Sequence, residues 1–383
     1  MFIANDIKYI GVHDQSIDLF EGMYKVPEGI TYNSYIILDE KTAVMDSVDN
    51  AFVDEWLEKL EKELGNRSPD YLVVHHMEPD HSAGVFAFAK KYPSAQIVAS
   101  AKAFAIMQNY FGEDFSDRRI VVGEGDTLNL GKHTLSFITA PMVHWPEVIM
   151  SYDALDKVLF SADAFGKFGS TEETGNWADE ARRYYIGIVG KYGAQVQALL
   201  KKAANLQIKT ICSLHGPVLT ENIEYYVSLY NIWSSYKPEK DGVLIVYTSV
   251  YGNTKKAVEL LAEQLKSQGV EVVTRDLARY DMSGAVADAF KFSKVVFATT
   301  TYNADIFPFM REFIHNLTER NFSKRMVAFI VNGSWAPMAS KVMGKMLENS
   351  KNLIYTQNTV KILSALNADS EAELTALALE LAK

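Results

Sequence analysis

Between His75 and His81 the chain reads HHMEPDH, three histidines and two carboxylates in seven residues, directly behind the apolar run YLVV. A folded interior excludes so many ionisable groups unless they are paired or bound to a metal. Whatever fold the chain adopts must therefore bring a cation, and further donors for it, to the end of that strand. Within the stretch the donors are His76, Glu78, Asp80 and His81. Residues two apart at a strand end point the same way, so His76 and Glu78 are expected to converge on one metal, while Asp80 and His81 on the following loop reach a second. His75 is read as facing away from His76, and His13, His133 and His315 as structural or exposed. Ser82 is placed as the N-cap of a helix over AGVFAFAKKY.

Four donors do not complete two sites, and three further strand-end loops supply the rest. APMVHWPE places His144 after LSFITA, LFSADAFG places Asp163 after KVLF, and ICSLHGP places His215 after TIC. A carboxylate such as Asp163 can bridge two ions and leave each with nitrogen and oxygen donors and an open position. A set of histidines and carboxylates without thiolate suits iron as well as zinc. The single cysteine, Cys212, excludes an intramolecular disulfide and any Cys-x-x-Cys metal site.

At 383 residues the chain exceeds one hydrophobic core of ordinary size, so two domains are expected. The net charge of -10 argues against nucleic acid as a partner. No secretory signal or membrane span is read, so the expectation is a soluble, cytoplasmic protein with no membrane partner. Up to about residue 235 short β-rich runs alternate with helices: a hairpin turning at Asp39 to Lys41, an amphipathic helix over AFVDEWLEKLEKELG, and a long helical stretch from about Trp177 to Asn205. A polar KPEKDG segment then marks the boundary between domains at 1–238 and 239–383. Beyond it VLIVYTS, VEVVTRDL, KVVFATTTY, RMVAFIVNGS and TVKILSALN alternate with helix-like segments. These are runs buried on both faces, as in the parallel sheet of a doubly wound, flavodoxin-like α/β domain.

The first of those strands leads into YTSVYGNTKKAVELLAEQL. Thr248, Ser249, Val250, Tyr251, Gly252, Asn253 and Thr254 thus form a loop at a helix N-terminus, where free N–H groups and the dipole attract phosphate. The loop resembles the Thr/Ser-x-Thr-Gly-Asn-Thr loop of flavodoxins, with Tyr251 at the third position, and FMN fits it better than NAD or ATP. Two further loops, Thr299, Thr300, Thr301, Tyr302 and Asn303, and Asn332, Gly333, Ser334 and Trp335, lie where such a sheet presents its ligand crevice. Tyr302 and Trp335 either stack near the ring or cover the crevice wall.

The order His-x-Glu-x-Asp-His, then His, Asp and His at strand ends, resembles the metallo-β-lactamase superfamily, most of which carries His-x-His-x-Asp-His and binds zinc. Here Glu78 stands where the second histidine would be. That departure, together with the flavodoxin-like half, resembles the flavodiiron proteins over essentially the whole chain. The resemblance implies an N-terminal metallo-β-lactamase-like αβ/βα sandwich and a C-terminal flavodoxin-like sheet. It implies a diiron centre with His76, Glu78 and His144 on one iron, Asp80, His81 and His215 on the other, and Asp163 bridging. It implies an oxidoreductase in which FMN passes electrons to the irons, which reduce dioxygen to water or nitric oxide to nitrous oxide. With one cysteine the chain cannot hold a rubredoxin iron, so an external donor such as a rubredoxin is expected. A zinc hydrolase on the same fold and a non-catalytic electron-transfer flavoprotein are the alternatives, against which Glu78 and the intact donor set argue. Flavin loops and iron loops fall in separate domains joined by YKPEKDG, so a head-to-tail homodimer, open to pairing into a dimer of dimers, is the expected assembly.

Overall fold

The computed structural model describes residues 2–4, 6–169 and 177–383. They group into two compact units, Met1–Tyr185 with Ala194–Asn231, and Ile186–Gly193 with Ile232–Lys383.

The first unit is a sandwich of two sheets. In the seven-stranded sheet the order is Phe2–Ala4, Ile7–Tyr9, Tyr35–Leu38, Thr42–Met45, Tyr71–Val73, Gln96–Ala99 and Arg119–Val121. The hairpin turns between Leu38 and Thr42, as the polar DEK triplet requires. Its last four strands run parallel, so the loops after them emerge at one edge. In the five-stranded sheet the order is Thr127–Asn129, Thr134–Thr139, Ile149–Asp153, Val158–Phe160 and Thr210–Cys212. Alternate residues of the two sheets, Tyr35, Ile37, Ala43, Met45 and Val73 from one and Leu135, Phe137, Ile149, Val158 and Phe160 from the other, form a common core. The amphipathic helix Val53–Leu64 turns Val53, Trp56, Leu57, Leu60 and Leu64 inward at helical spacing.

The long helix expected from Trp177 to Asn205 is broken. Trp177–Tyr184 is α-helical, Tyr185–Val189 widens into a π turn, Gly190–Tyr192 tightens to 3-10, and α-helix resumes over Gly193–Ala203. Three glycines and the β-branched Ile186, Ile188 and Val189 make this the weakest helix-forming stretch of the segment. The loosened carbonyls of Ile186 and Gly187 are taken by Arg320 at 3.0 and 3.2 Å.

The second unit is a doubly wound sheet with strands in the order Val272–Asp276, Lys240–Tyr247, Phe292–Tyr302, Met326–Asn332, all parallel. The fifth position is split, since Met326–Asn332 pairs first with Ile354–Tyr355 and then with Val360–Ile362. This is the 2-1-3-4-5 order of flavodoxin-like folds, whose crevice opens beyond the carboxyl ends of the strands. The helices Asn253–Ser267 and Ala368–Leu381 cover one face through Val258, Leu261, Leu265, Leu374, Leu377 and Leu381.

Candidate metal centre and flavin crevice

The strand Tyr71–Val73 continues through Val74, whose N–H donates to Val98 O at 2.8 Å, and delivers the HHMEPDH stretch to the sandwich edge. His75 turns away from the cluster. Its Nδ1 lies 2.5 Å from Asp46 Oδ2 and its Nε2 2.8 Å from Ser151 Oγ, which ties both sheets together immediately beneath the site. Ser82 is not the helix cap expected from the sequence. Residues Pro79–Ser82 themselves form one helical turn, the next helix begins at Val85 with Gly84 before it, and the Ser82 hydroxyl donates to Met77 O at 2.9 Å. Pro79 at the first helical position starts that turn and carries Asp80 and His81 on it, in place of the loop expected. Likewise His76 and Glu78 lie beyond the strand end, so the loop, not strand alternation, brings them together.

The seven donors gather into two groups. His76, Glu78, His144 and Asp163 form the first. In it His76 Nε2 stands 3.3 Å from His144 Nε2, from Glu78 Oε2 and from Asp163 Oδ2, while His144 Nε2 is 3.0 Å from Glu78 Oε2 and 2.9 Å from Asp163 Oδ2. Asp80, His81 and His215 form the second. Its Nε2–Nε2 distance is 3.0 Å, and Asp80 Oδ2 is 3.2 and 3.3 Å from the two rings. Asp163 turns Oδ2 to the first group and Oδ1 to the second, 3.3 Å from His81 Nε2.

These contacts fit cations better than they fit one another. His215 Nδ1 faces Thr31 O at 2.7 Å, an acceptor only, so that nitrogen carries the proton and Nε2 presents a lone pair. His76 Nδ1 likewise faces the Glu147 carboxylate at 2.8 Å. Both Asp80 oxygens and Asp163 Oδ1 are buried with no hydrogen-bond partner. Donor atoms held about 2.0–2.2 Å from a common ion stand roughly 3.3 Å apart, the spacing found here. Burial alone would raise Glu78, but His144 and His76 pull its carboxyl down to about 2. Burial would lower His144, yet Asp163 and Glu78 hold it up at about 9. Asp163 lies well below the usual carboxylate range, its burial outweighed by His76, His144 and His81. A pocket that draws this much positive charge onto its histidines is one in which a cation displaces protons. Phe20, Tyr32 and Tyr184 stand 5.3, 6.1 and 5.4 Å from the His215 ring and wall it from solvent.

Glu147 was not singled out from the sequence. It accepts from Met77 N at 2.9 Å besides facing His76, so it fixes both the ring and the turn that carries it. Its only signal was its place three residues after His144.

In the second unit a crevice of about 530 Å³ opens beyond the strand ends, within the range of cofactor sites. Ser249, Val250, Tyr251, Asn253 and Thr254 line it together with Thr300 to Asn303 and Asn332 to Trp335. Gly252, with φ +88°, turns the chain into the helix Asn253–Ser267, whose positive end suits an anion and whose Lys255 N–H donates to Ser249 Oγ at 3.2 Å. Thr248 and Thr299 do not line the crevice. They are buried beneath it, their hydroxyls bonded to each other at 2.7 Å. Ala304, Ala336, Met338 and Ser364 also line it and were not anticipated. Ser364 follows the strand Val360–Ile362, so the strand-end rule applied to the fifth strand would have found it.

A sandwich with two sets of histidine and carboxylate donors sharing one aspartate, in one chain with a flavodoxin-type sheet and crevice, defines a two-domain metalloflavoprotein. Residues 30–216 match the model of the ODP family beta lactamase, and residues 244–363 that of the flavodoxin domain. A nitric oxide reductase of Moorella thermoacetica is 30% identical over 361 residues, covering 91% of this chain and 90% of its own. The rubredoxin oxygen:oxidoreductase of Desulfovibrio gigas superposes with a TM-score of 0.91 at 25% identity, over 100% of this chain and 97% of its own. The flavodiiron protein of Giardia intestinalis gives 0.91 at 25% identity, over 99% and 95%. The chain belongs to the flavodiiron proteins. It is an oxidoreductase whose flavodoxin half takes FMN and whose paired donor groups accord with a diiron centre. No helix among the described residues is long and apolar enough to cross a membrane.

Proposed function

We propose that this chain is a cytoplasmic reductase of a diatomic gas, dioxygen or nitric oxide, fed by an external donor such as a rubredoxin. Residues 1–238 would carry the iron site and 239–383 the FMN. The observation that carries the reading is the pair of donor groups joined through Asp163, in which both Asp80 oxygens and Asp163 Oδ1 are buried with no hydrogen-bond partner. His76, Glu78 and His144 would hold one ion, Asp80, His81 and His215 the other, with Asp163 between them. The loop from Ser249 to Thr254 would hold the FMN phosphate, and the loops Thr299 to Asn303 and Asn332 to Trp335 would flank the ring. When bound, FMN supplies electrons and the iron pair supplies open coordination positions for a diatomic. Glu147 and the carbonyl of Thr31 keep protons on the outer nitrogens of His76 and His215, so that both rings turn their lone pairs inward.

Metal analysis, a visible spectrum and gas electrodes test this on the purified protein with a chemically reduced rubredoxin. The expected result is two irons and one FMN per chain and consumption of dioxygen, nitric oxide or both. Zinc in the centre with neither gas consumed would reject it in favour of a hydrolase. In Glu78→His the metal preference should shift towards zinc and gas consumption should disappear while the fold survives; full activity with iron retained would remove the role given to Glu78.

A further inference from the structure

His133, read from the sequence as structural or exposed, is fully buried in the turn between the strands Thr127–Asn129 and Thr134–Thr139. Asp153 ends the strand Ile149–Asp153, and Asp156 lies in the turn that follows. The strand Thr134–Thr139 leads from His133 towards His144, and Val158–Phe160 leads from Asp156 towards Asp163. The three residues therefore sit at the end of the sheet opposite the donor cluster already described.

One donor atom from each of His133, Asp153 and Asp156 lies within 4.8 Å of the other two. Four buried atoms here have no hydrogen-bond partner: both ring nitrogens of His133, Asp153 Oδ1 and Asp156 Oδ2. His133 and Asp153 are both 0% exposed, where an unpartnered polar atom costs about 1–3 kcal/mol. The same signature marks Asp80 and Asp163 in the first cluster. His133 Nδ1 stands 3.2 Å from Asp153 Oδ2, an oxygen that already accepts from Asp156 N at 2.9 Å. On its far side His133 Nε2 looks to Asp6 Oδ2 at 3.7 Å, and its backbone N–H donates to Asp39 Oδ2 at 2.7 Å. A carboxylate behind the outer nitrogen is the usual support of a histidine that binds metal through the inner one. Three carboxylates, those of Asp6, Asp153 and Asp156, thus face one imidazole while that of Asp39 holds its backbone N–H, with Lys132 Nζ 3.6 Å from Asp6.

We propose that His133 Nδ1, Asp153 and Asp156 form a separate, mononuclear site for a divalent transition cation of the zinc type. One nitrogen and two carboxylate oxygens suit such a cation, and water completes its shell. Asp6 places a carboxylate 3.7 Å behind the ring. The ion clamps the turn at His133 to the turn at Asp156, a structural role that does not depend on the reading given to the iron centre.

The test uses the iron- and FMN-loaded full chain with zinc chloride alone as ligand. Crystals soaked in zinc should show an anomalous peak at the zinc edge among His133, Asp153 and Asp156. Calorimetry should find one zinc site per chain whose affinity falls at least about tenfold in Asp156→Asn, with iron and FMN content unchanged. Asp156 is only partly buried and its substitution leaves the core intact; a zinc-dependent rise in melting temperature, present in the parent and absent in Asp156→Asn, gives a second readout. Zinc found only in the seven-residue centre, or identical isotherms for parent and variant, would overturn the proposal and leave His133 as a structural residue beside Asp6 and Asp153.

Discussion

Glu147 shows how much of a metal site lies outside its donors. One oxygen serves both His76 and the Met77 amide, and Glu147 is 2% exposed, so neither partner has water to turn to. Glu147→Ala should lower iron affinity by roughly ten- to a hundredfold, read by competition with a chelator, because the His76 ring loses its orientation. Glu147→Gln keeps an acceptor and should recover most of it. Equal affinities for the parent and Glu147→Ala would show that the ring is held by packing alone. At this scale the donors were legible because seven ionisable residues gathered at strand ends are costly to bury without a cation to share. Glu147 was not, since one glutamate in a loop looks like any other. Likewise the Asp46, His75 and Ser151 chain depends on residues far apart in sequence meeting across two sheets.

Arg325 does for the second unit's elements what Glu147 does for the site. It is 1% exposed, and its guanidinium donates to the carbonyls of Phe290, Tyr236, Ser323, Ala289 and Lys324 at 2.5 to 3.3 Å. It thereby joins the strand Met326–Asn332, the end of the helix Met282–Lys291 and the chain entering the strand Lys240–Tyr247. Burial pushes it down to about 10, so it stays charged at neutral pH. Arg325→Met leaves several buried carbonyls without a donor and should destabilise this unit by about 3 kcal/mol or more. The measurement is the urea midpoint followed by flavin fluorescence, and an unchanged midpoint would refute the assignment. Element existence was largely readable, as in the helix Val53–Leu64 and the strands of the parallel sheet. Element continuity was misread: Gly187, Gly190 and Gly193 weaken the helix after Tyr184, where Arg320 takes the loosened carbonyls, and the turn Pro79–Ser82 displaced the expected cap at Ser82.

At the scale of the whole molecule, the head-to-tail homodimer expected from the sequence is open to a mixing experiment. Tyr251 and Trp335 at the mouth of the flavin crevice are 92% and 83% exposed, surface that bound FMN or a second chain would cover. Co-refolding a variant lacking iron donors, His81→Ala with His215→Ala, with one whose phosphate loop is disabled should restore gas consumption in mixed dimers, each parent being inactive alone. Mixed dimers that form and stay inactive would exclude transfer between chains. The sequence by itself determined the two fold types and which donor side chains would cluster, because strand periodicity, strand-end placement and residue chemistry are local properties that survive in one dimension. Only the tertiary structure decided which candidate donors group together, that Asp163 faces both groups, that Ile186–Gly193 belongs to the second unit, and that His133 lies buried near carboxylates. Those depend on distances between segments up to 180 or so residues apart, such as His215 and Thr31, and such distances are fixed by packing rather than by any pattern along the chain.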